Sequence, residues 1–345
     1  MAAWQVMLVV TLFSAQTRAQ FDLCFTDSAA AGVPSNEFNF TGVDNFGLGL
    51  IRELNEHLTA TQKAGDVNLL VSPYSVWSAL SLALMGAQGT TLKQLQDALG
   101  LPNTKLGAYR TKYALDFVLR ALGSGANGSP ELRRVDRAYF DPSVNLRPCV
   151  SDVIHDVQTL NMLADPAPAC LTMPPLFAPP RLRVSPCLLS LHRRISLVFR
   201  HQKPDLDQTL AKLSPYTLGQ ALAAMKPLQV NVSIPKFDLE VKLEDELVQS
   251  LKQLGITDMF DRTRSNFSSF TADSGPLFVD EAIHKAKVRV DESGTVAAAA
   301  TALMATRSGA NSAIQFVANR PFLFLIYDSR VRVTLFAGII RNPTK

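Results

Sequence analysis

The sequence predicts one α+β domain, with helices in the first half of the chain and strands near its end. Apolar residues spaced four positions apart would line one face of a helix over 43–63; they are Phe46, Leu50, Leu54 and Leu58. Runs compatible with strands crowd the C-terminal part, at 277–290, 314–317, 321–327 and 331–340. No internal repeat is visible, and this segregated order predicts a single mixed domain.

Local signals predict the bounds of the next helices. Ser72 followed by Pro73 is typical of an N-cap with proline at the first helical position, and predicts a helix through Ala87. The run 91–94 has the spacing of a capping box, and its helix should end at Gly100. Further helices are predicted at 109–122, 206–213, 215–225 and 243–254, and further strands at 68–71, 134–140, 195–199 and 228–240.

The middle of the chain differs in texture from the rest. Seven prolines lie between residues 164 and 187. Proline removes a backbone donor and fixes φ, so neither a helix nor a central strand continues through this density. We interpret 150–194 as an atypical insert, either a linker or a wrongly joined exon.

Composition predicts a folded globule. Of the 345 residues 47% are hydrophobic and 19% charged, which is enough for a sizeable core. The net charge of +4 fits an ordinary solvated surface, so nucleic acid is not an expected partner. We expect neither a cofactor nor a metal, because phosphate loops and metal-ligand spacings are lacking. The cysteines match no zinc pattern, and their pairing stays open; they are Cys24, Cys149, Cys170 and Cys187.

The N-terminus predicts export. An apolar run over 4–13 is followed by small and polar residues up to Ala19, as in a signal peptide, and is too short to span a membrane. We expect a signal peptide at 1–19, an N-terminal extension at 20–42 and a secreted, membrane-free chain. Four glycosylation sequons agree with this, at Asn39, Asn127, Asn231 and Asn266.

The segment 291–301, DESGTVAAAAT, lies between a strand-like run and a small, polar stretch. By propensity its alanines favour a short surface helix. The alternative is an extended segment, because Gly294 can act as a hinge and small residues can enter a packed sheet without overfilling it. Arg307 is the one basic residue between Gly294 and Arg320.

Several motifs in one order resemble the serpin family. They are NLLVSPYSV at 68–76, GAQGTT at 86–91, VSIPKF at 232–237, LKQLGI at 251–256, IHKA at 283–286 and NRPFLF at 319–324, together with the 291–301 run. The resemblance covers roughly 46–140 and 195–343. It implies a single domain at 43–345 with a large mixed main sheet and an exposed reactive-centre loop.

The resemblance also implies a function. The chain would be an extracellular, monomeric inhibitor of serine proteases and not an enzyme, a suicide substrate whose loop is cleaved and then inserts into the main sheet. Counting back from Phe316 places the cleaved bond at Arg307-Ser308, whereas counting forward from Gly294 places it at Ser308-Gly309. An arginine suits the acidic pocket of a trypsin-like protease.

Two groups of residues would serve the insertion if the resemblance holds. The loop hinge is Glu292, Gly294, Thr295, Ala297, Ala298, Ala299 and Ala300. The shutter, where the sheet must open, is Ser72, Ser75 and His284.

The resemblance fails in the middle of the chain. The family has a third main-sheet strand with a shutter asparagine and a gate strand with tryptophan, but this chain has tryptophan only at Trp4 and Trp77. A defective, non-inhibitory member that is cleaved as a substrate or binds a partner is therefore the alternative function. The segment is basic, which leaves a glycosaminoglycan partner open; its arginines are Arg181, Arg183, Arg193, Arg194 and Arg200.

A protease is the competing enzyme class. The run 273–276, DSGP, superficially resembles the nucleophile segment of trypsin-like proteases. A nucleophile needs a base with an orienting carboxylate. The histidines lack the surrounding sequence for that role, so we do not expect protease activity.

Overall fold

A computed structural model describes residues 39–61, 67–120, 138–140, 144–148, 150, 157–159, 188–191, 195–200, 206–225, 230–272, 277–290 and 314–343. The predicted signal peptide, the hinge residues, the Arg307-Ser308 bond and Asn127 lie outside these ranges. The same holds for the DSGP run and for Arg181, Arg183, Arg193 and Arg194.

The helices follow the predicted order. They are α1 (Thr41–Thr61), α2 (Pro73–Gly86), α3 (Gly89–Leu99), α4 (Lys105–Arg120), α5 (Leu206–Ala211), α6 (Pro215–Ala224) and α7 (Asp245–Gln253), with a 3-10 turn at Asp258–Phe260. None of these helices in the described part of the chain is long and apolar enough to cross a membrane.

The described strands form one larger sheet and three pairs. They are β1 (Leu69–Val71), β2 (Ala138–Phe140), β3 (Val157–Thr159), β4 (Leu188–Leu191), β5 (Ile195–Arg200), β6 (Val230–Ser233), β7 (Phe237–Leu243), β8 (His284–Val290), β9 (Ile314–Val317), β10 (Phe322–Asp328) and β11 (Val333–Ile340). The larger sheet is antiparallel throughout, in the order β1-β11-β10-β5-β4. The pairs β2-β3 and β6-β9 are parallel, and β7-β8 is antiparallel.

The core lies where α1 and α2 pack against β11. Every residue of β10 and β11 is buried, which explains why these strands are apolar on both faces instead of alternating. The ring of Phe237 on β7 lies 6.5 Å from that of Phe322 and 5.9 Å from that of Phe324. The β7-β8 pair therefore shares the core of the larger sheet.

Two expectations about the N-terminal helices have different outcomes. The start of α2 is confirmed, since Ser72 is its N-cap and Pro73 its first residue. The capping box at 91–94 is wrong, because α3 begins at Gly89 without a side-chain cap. The Thr91 hydroxyl instead accepts a hydrogen bond from the backbone N–H of Asn266, at 3.0 Å.

Two long strand predictions are shortened. The run 228–240 divides into β6 and β7 around Pro235, which cannot donate to a strand ladder. In the run 277–290 the strand begins only at His284. The residues before it bond to a loop instead: the Ser265 hydroxyl donates to the Leu277 carbonyl at 2.9 Å, and Val279 N–H donates to the Met259 carbonyl at 2.8 Å.

Candidate functional site

Ser72 joins three elements at the head of α2. Its backbone N–H donates to Nε2 of His284, the first residue of β8, at 3.0 Å. Its hydroxyl donates to the carbonyl of Leu335 on β11 at 2.8 Å and accepts from Ser75 N–H at 3.3 Å. We call Ser72, His284 and Leu335 the latch, because their bonds connect α2, β8 and β11.

A β-bulge explains why the Leu335 carbonyl is free to accept this bond. In the β10-β11 ladder, Ile326 pairs with Phe336 and the next residue, Tyr327, pairs with Thr334. Leu335 is therefore the extra residue that has no partner on β10. A buried carbonyl needs a donor, and the Ser72 hydroxyl supplies it.

The protonation state of His284 follows from its bond. A backbone N–H can only donate, so Nε2 must be an acceptor and the neutral imidazole carries its proton on Nδ1. His284 is buried, and burial lowers its pKa from 6.5 to about 4. The latch thus contains a neutral histidine at physiological pH.

The latch does not have the geometry of a catalytic pair. The Ser72 hydroxyl bonds to a backbone carbonyl, and His284 contacts the backbone of Ser72 instead of its hydroxyl. A nucleophile-base pair requires the hydroxyl to donate to the imidazole. The arrangement is suited to holding elements together and not to activating a nucleophile.

The predicted shutter residues are brought together unequally. Ser72 and His284 are in direct contact, whereas Ser75 joins through its backbone N–H. β8 runs from His284 to Val290 and pairs along its length with β7, Leu243 opposite His284. The predicted hinge at Glu292 follows β8 directly in the sequence, beyond the described residues. The latch therefore lies at the start of the strand that leads to that hinge.

A buried acid near the latch was missed by sequence reasoning. Asp44 on α1 is 3% exposed and accepts a hydrogen bond from the Thr334 hydroxyl at 2.9 Å, next to Leu335 in the chain. Burial raises the pKa of Asp44 to about 6, against the effect of the Thr334 bonds. Burial, with a smaller contribution from the Asp44 charge, raises the pKa of Tyr327.

The sequence did contain a signal for this acid. An Asp in the first turn of a helix is usually a solvated partner of the helix dipole. Asp44, however, is spaced four and then three residues from Leu48 and Ile51, which are also buried. These residues form a second buried stripe that widens the apolar face of α1.

The other predicted residues lie in varied places. Asn39 and Asn266 are exposed, and Asn231 lies in β6. Trp77 is fully buried and donates from Nε1 to the Leu99 carbonyl at 3.0 Å, a structural role. No group of three metal-ligating side chains occurs within the described ranges.

The pH dependence of stability should report the titration of the two buried groups, His284 and Asp44. As the pH falls from 6.5 to about 4, His284 becomes protonated in the unfolded chain but stays neutral in the folded chain. This lowers the free energy of unfolding by up to about 3 kcal/mol. Asp44 acts oppositely, because between 3.8 and about 6 the folded chain holds a proton that the unfolded chain releases. The two slopes therefore offset each other.

Urea unfolding from pH 4 to 7.5 separates these slopes. Relative to the natural chain, His284→Gln should become more stable on acidification, and Asp44→Asn should lose stability more steeply. A His284→Gln profile parallel to that of the natural chain would show that His284 titrates alike in both states.

Comparisons with known proteins identify the family. The family model described as serpin (serine protease inhibitor) matches residues 41–164 and 189–343. The chain therefore belongs to the serpin family, which has an α+β fold and is described as a family of serine protease inhibitors rather than of enzymes. The match extends further into the middle of the chain than the motifs did, and leaves 165–188 unmatched.

A relative from the fly is similar over part of this chain. A stretch of 140 residues is 38% identical to serine protease inhibitor 88Ea of Drosophila melanogaster, covering 40% of this chain and 32% of the fly protein. The chain thus aligns with about a third of that relative.

Two solved structures share the fold over nearly the whole chain. Native protease nexin-1 with heparin has a TM-score of 0.68 and 21% identity, covering 88% of this chain and 100% of its own. Human thyroxine-binding globulin with thyroxine has a TM-score of 0.69 and 17% identity, covering 89% and 100%.

Proposed function

We propose that the chain is an exported inhibitor of trypsin-like serine proteases that acts as a suicide substrate. The latch is the observation that carries this proposal. It ties α2, β11 and the first residue of β8 through one serine, at the base of the strand that leads into the predicted hinge. Opening a sheet beside β8 requires a junction of this kind, one that can be released and remade.

The bonds gained on loop insertion would outweigh the bonds that hold the latch. The latch rests on a few neutral hydrogen bonds, each worth about 0.5–1.5 kcal/mol. Insertion of about a dozen loop residues would add main-chain bonds worth on the order of 10 kcal/mol in total. That sum is comparable to the stability of a domain, so insertion can both break the latch and distort a bound protease.

The target class rests on the loop sequence. Arg307 is a long cation that would enter an acidic specificity pocket, and the bond cut would be Arg307-Ser308. Ser308-Gly309 stays the second candidate. The apolar run at 4–13 supports export, which would bring the chain to extracellular proteases.

A glycosaminoglycan is a candidate second ligand. A structure of the same fold holds heparin, and the arginine-rich stretch 181–200 offers positive charge. We include this ligand in the proposal as an activator and not as the target.

A non-inhibitory function is the second candidate. Residues 165–188 match nothing in the family model, and within the described residues β8 pairs with β7 alone. An inserting loop that lacks one neighbouring strand would be cut without trapping the protease. A protein of the same fold is named as a thyroxine-binding globulin, so a binding function suits this architecture.

Mixing the purified full chain with trypsin distinguishes the two functions. The inhibitor should form a complex that survives SDS, and Arg307→Ala should abolish it, whereas Ser308→Ala should not. Clean cleavage after Arg307 without a complex would reject inhibition and favour the second candidate. Sequencing the released C-terminal fragment identifies the bond that is cut.

A further inference from the structure

We infer that Asn39 and Asn266 carry N-linked oligosaccharide and that Asn231 does not. The inference rests on the export that forms part of the proposed function. Each of the first two residues begins an Asn-Phe-Ser/Thr triplet and is exposed. The structure distinguishes them from Asn231 by the shape of the backbone.

Asn266 has the geometry of an acceptor. Its Oδ1 accepts from Ser268 N–H at 3.2 Å and from the Ser268 hydroxyl at 2.8 Å, which closes a compact turn over the triplet. Its Nδ2 makes no hydrogen bond to any described residue. The atom that would bond to sugar is therefore available, while the rest of the amide is held in place.

The surroundings of Asn266 hold it at the surface. Phe267, between the two polar residues, is buried and stacks on Phe270 at 6.2 Å, so the asparagine and serine point outward. The Asn266 carbonyl accepts from Gln88 N–H at 2.9 Å, which fixes the backbone against the start of α3. A Cβ placed on the exposed Gly89 would lie 3.9 Å from Nδ2 of Asn266, so this amide lies beside an exposed part of the chain.

Asn39 repeats this arrangement at the start of α1. Its Oδ1 accepts from Thr41 N–H at 2.9 Å, and its Nδ2 also bonds to no described residue. Phe40 packs against the core and leaves Asn39 and Thr41 exposed. Two triplets far apart in the chain thus share one shape.

Asn231 differs because it lies inside β6. Its register partner is Gln315 on β9, and the pairing runs from Val230 to Ser233. An extended strand separates residues 231 and 233 too far for the turn seen at the other two triplets. The Asn231 triplet is therefore extended, and it lacks the turn that forms over the triplets at Asn39 and Asn266.

The modification itself is a simple transfer. Nδ2 loses one proton and forms a bond to the anomeric carbon of a lipid-linked oligosaccharide, and the lipid diphosphate leaves with the bonding electrons. No oxidant or reductant is involved. The lipid-linked donor is the one co-reactant that the step needs.

The test resolves each site in protein secreted by eukaryotic cells. The full chain is expressed with its own first 19 residues and, separately, with an unrelated secretory leader. Removing the sugar with a peptide amidase in ¹⁸O water converts each occupied asparagine to labelled aspartate, which peptide mass spectrometry locates. We expect label at positions 39 and 266 and none at 231. Label at 231, or none at 39 or 266, overturns the inference.

Matched variants separate occupancy from folding. Thr41→Val and Ser268→Ala keep the asparagine and should each abolish label at one site, while Asn231→Gln should change nothing. Trypsin trapping by unglycosylated bacterial protein reports on inhibition separately, so either idea can fail alone. If only the unrelated leader yields secreted, labelled protein, the export assignment fails and the site assignment stands.

Discussion

Replacing Ala298 with proline is expected to convert the chain from an inhibitor into a substrate. In the proposed mechanism Ala298 enters the sheet as part of a central strand. Proline cannot donate to the ladder and is excluded from central strands. Trypsin should still cut the loop, because the change lies nine residues before Arg307. We expect the SDS-stable complex to fall at least tenfold while cleavage continues at an unchanged rate.

Ala298→Ser is the matched control, since serine is small and keeps the backbone N–H. It should form the complex as the natural chain does. A second readout is heat resistance after cleavage: about 10 kcal/mol of new pairing should raise the Tm of the cut natural chain by about 20 °C or more. The cut proline variant should gain little. If Ala298→Pro traps trypsin normally, strand insertion is not the cause of trapping.

Elements with strong local signals could be predicted from the sequence. The start of α2 needs only Ser72 and Pro73, which are adjacent, and the end of α3 needs only Gly100, which adopts φ 61°. β10 and β11 were recognisable as dense apolar runs. For the two helix ends the deciding interaction lies within a few residues along the chain, and for the two strands the apolar composition of the run itself is the signal.

Elements decided by distant partners could not be predicted in the same way. Thr91 has the residue type of a cap, but its hydroxyl bonds to Asn266, 175 positions away. The segment before β8 is β-compatible, yet its backbone groups bond to the loop at 259–265. Local pattern carries no information about such partners, so tertiary contacts override it.

The latch shows the same limit at the candidate site. Ser72 and His284 are 212 positions apart, and family resemblance rather than spacing suggested that they meet. The bulge at Leu335 and the buried Asp44 were not anticipated at all. A bulge adds a single residue to one strand, and no composition signal marks that residue.

Replacing Ser72 with alanine should produce the largest loss of stability among changes to the latch. The variant loses the N-cap of α2, worth about 0.5–2 kcal/mol. It also leaves the Leu335 carbonyl without its donor at the bulge, which costs about 1–3 kcal/mol. We expect the free energy of unfolding to fall by about 2–4 kcal/mol, measured as a lower urea midpoint with an unchanged m-value.

Ser75→Ala is the control, because Ser75 takes part through its backbone N–H and its hydroxyl makes no hydrogen bond to a described residue. Its cost should stay below about 0.5 kcal/mol. Both substitutions remove one hydroxyl from the same turn, so the change in side-chain size is the same. Equal losses in the two variants would mean that the hydroxyl of Ser72 has no special role. A large loss confined to Ser72→Ala would place that stability in the two bonds of the Ser72 hydroxyl, which caps α2 and joins it to the bulge of β11.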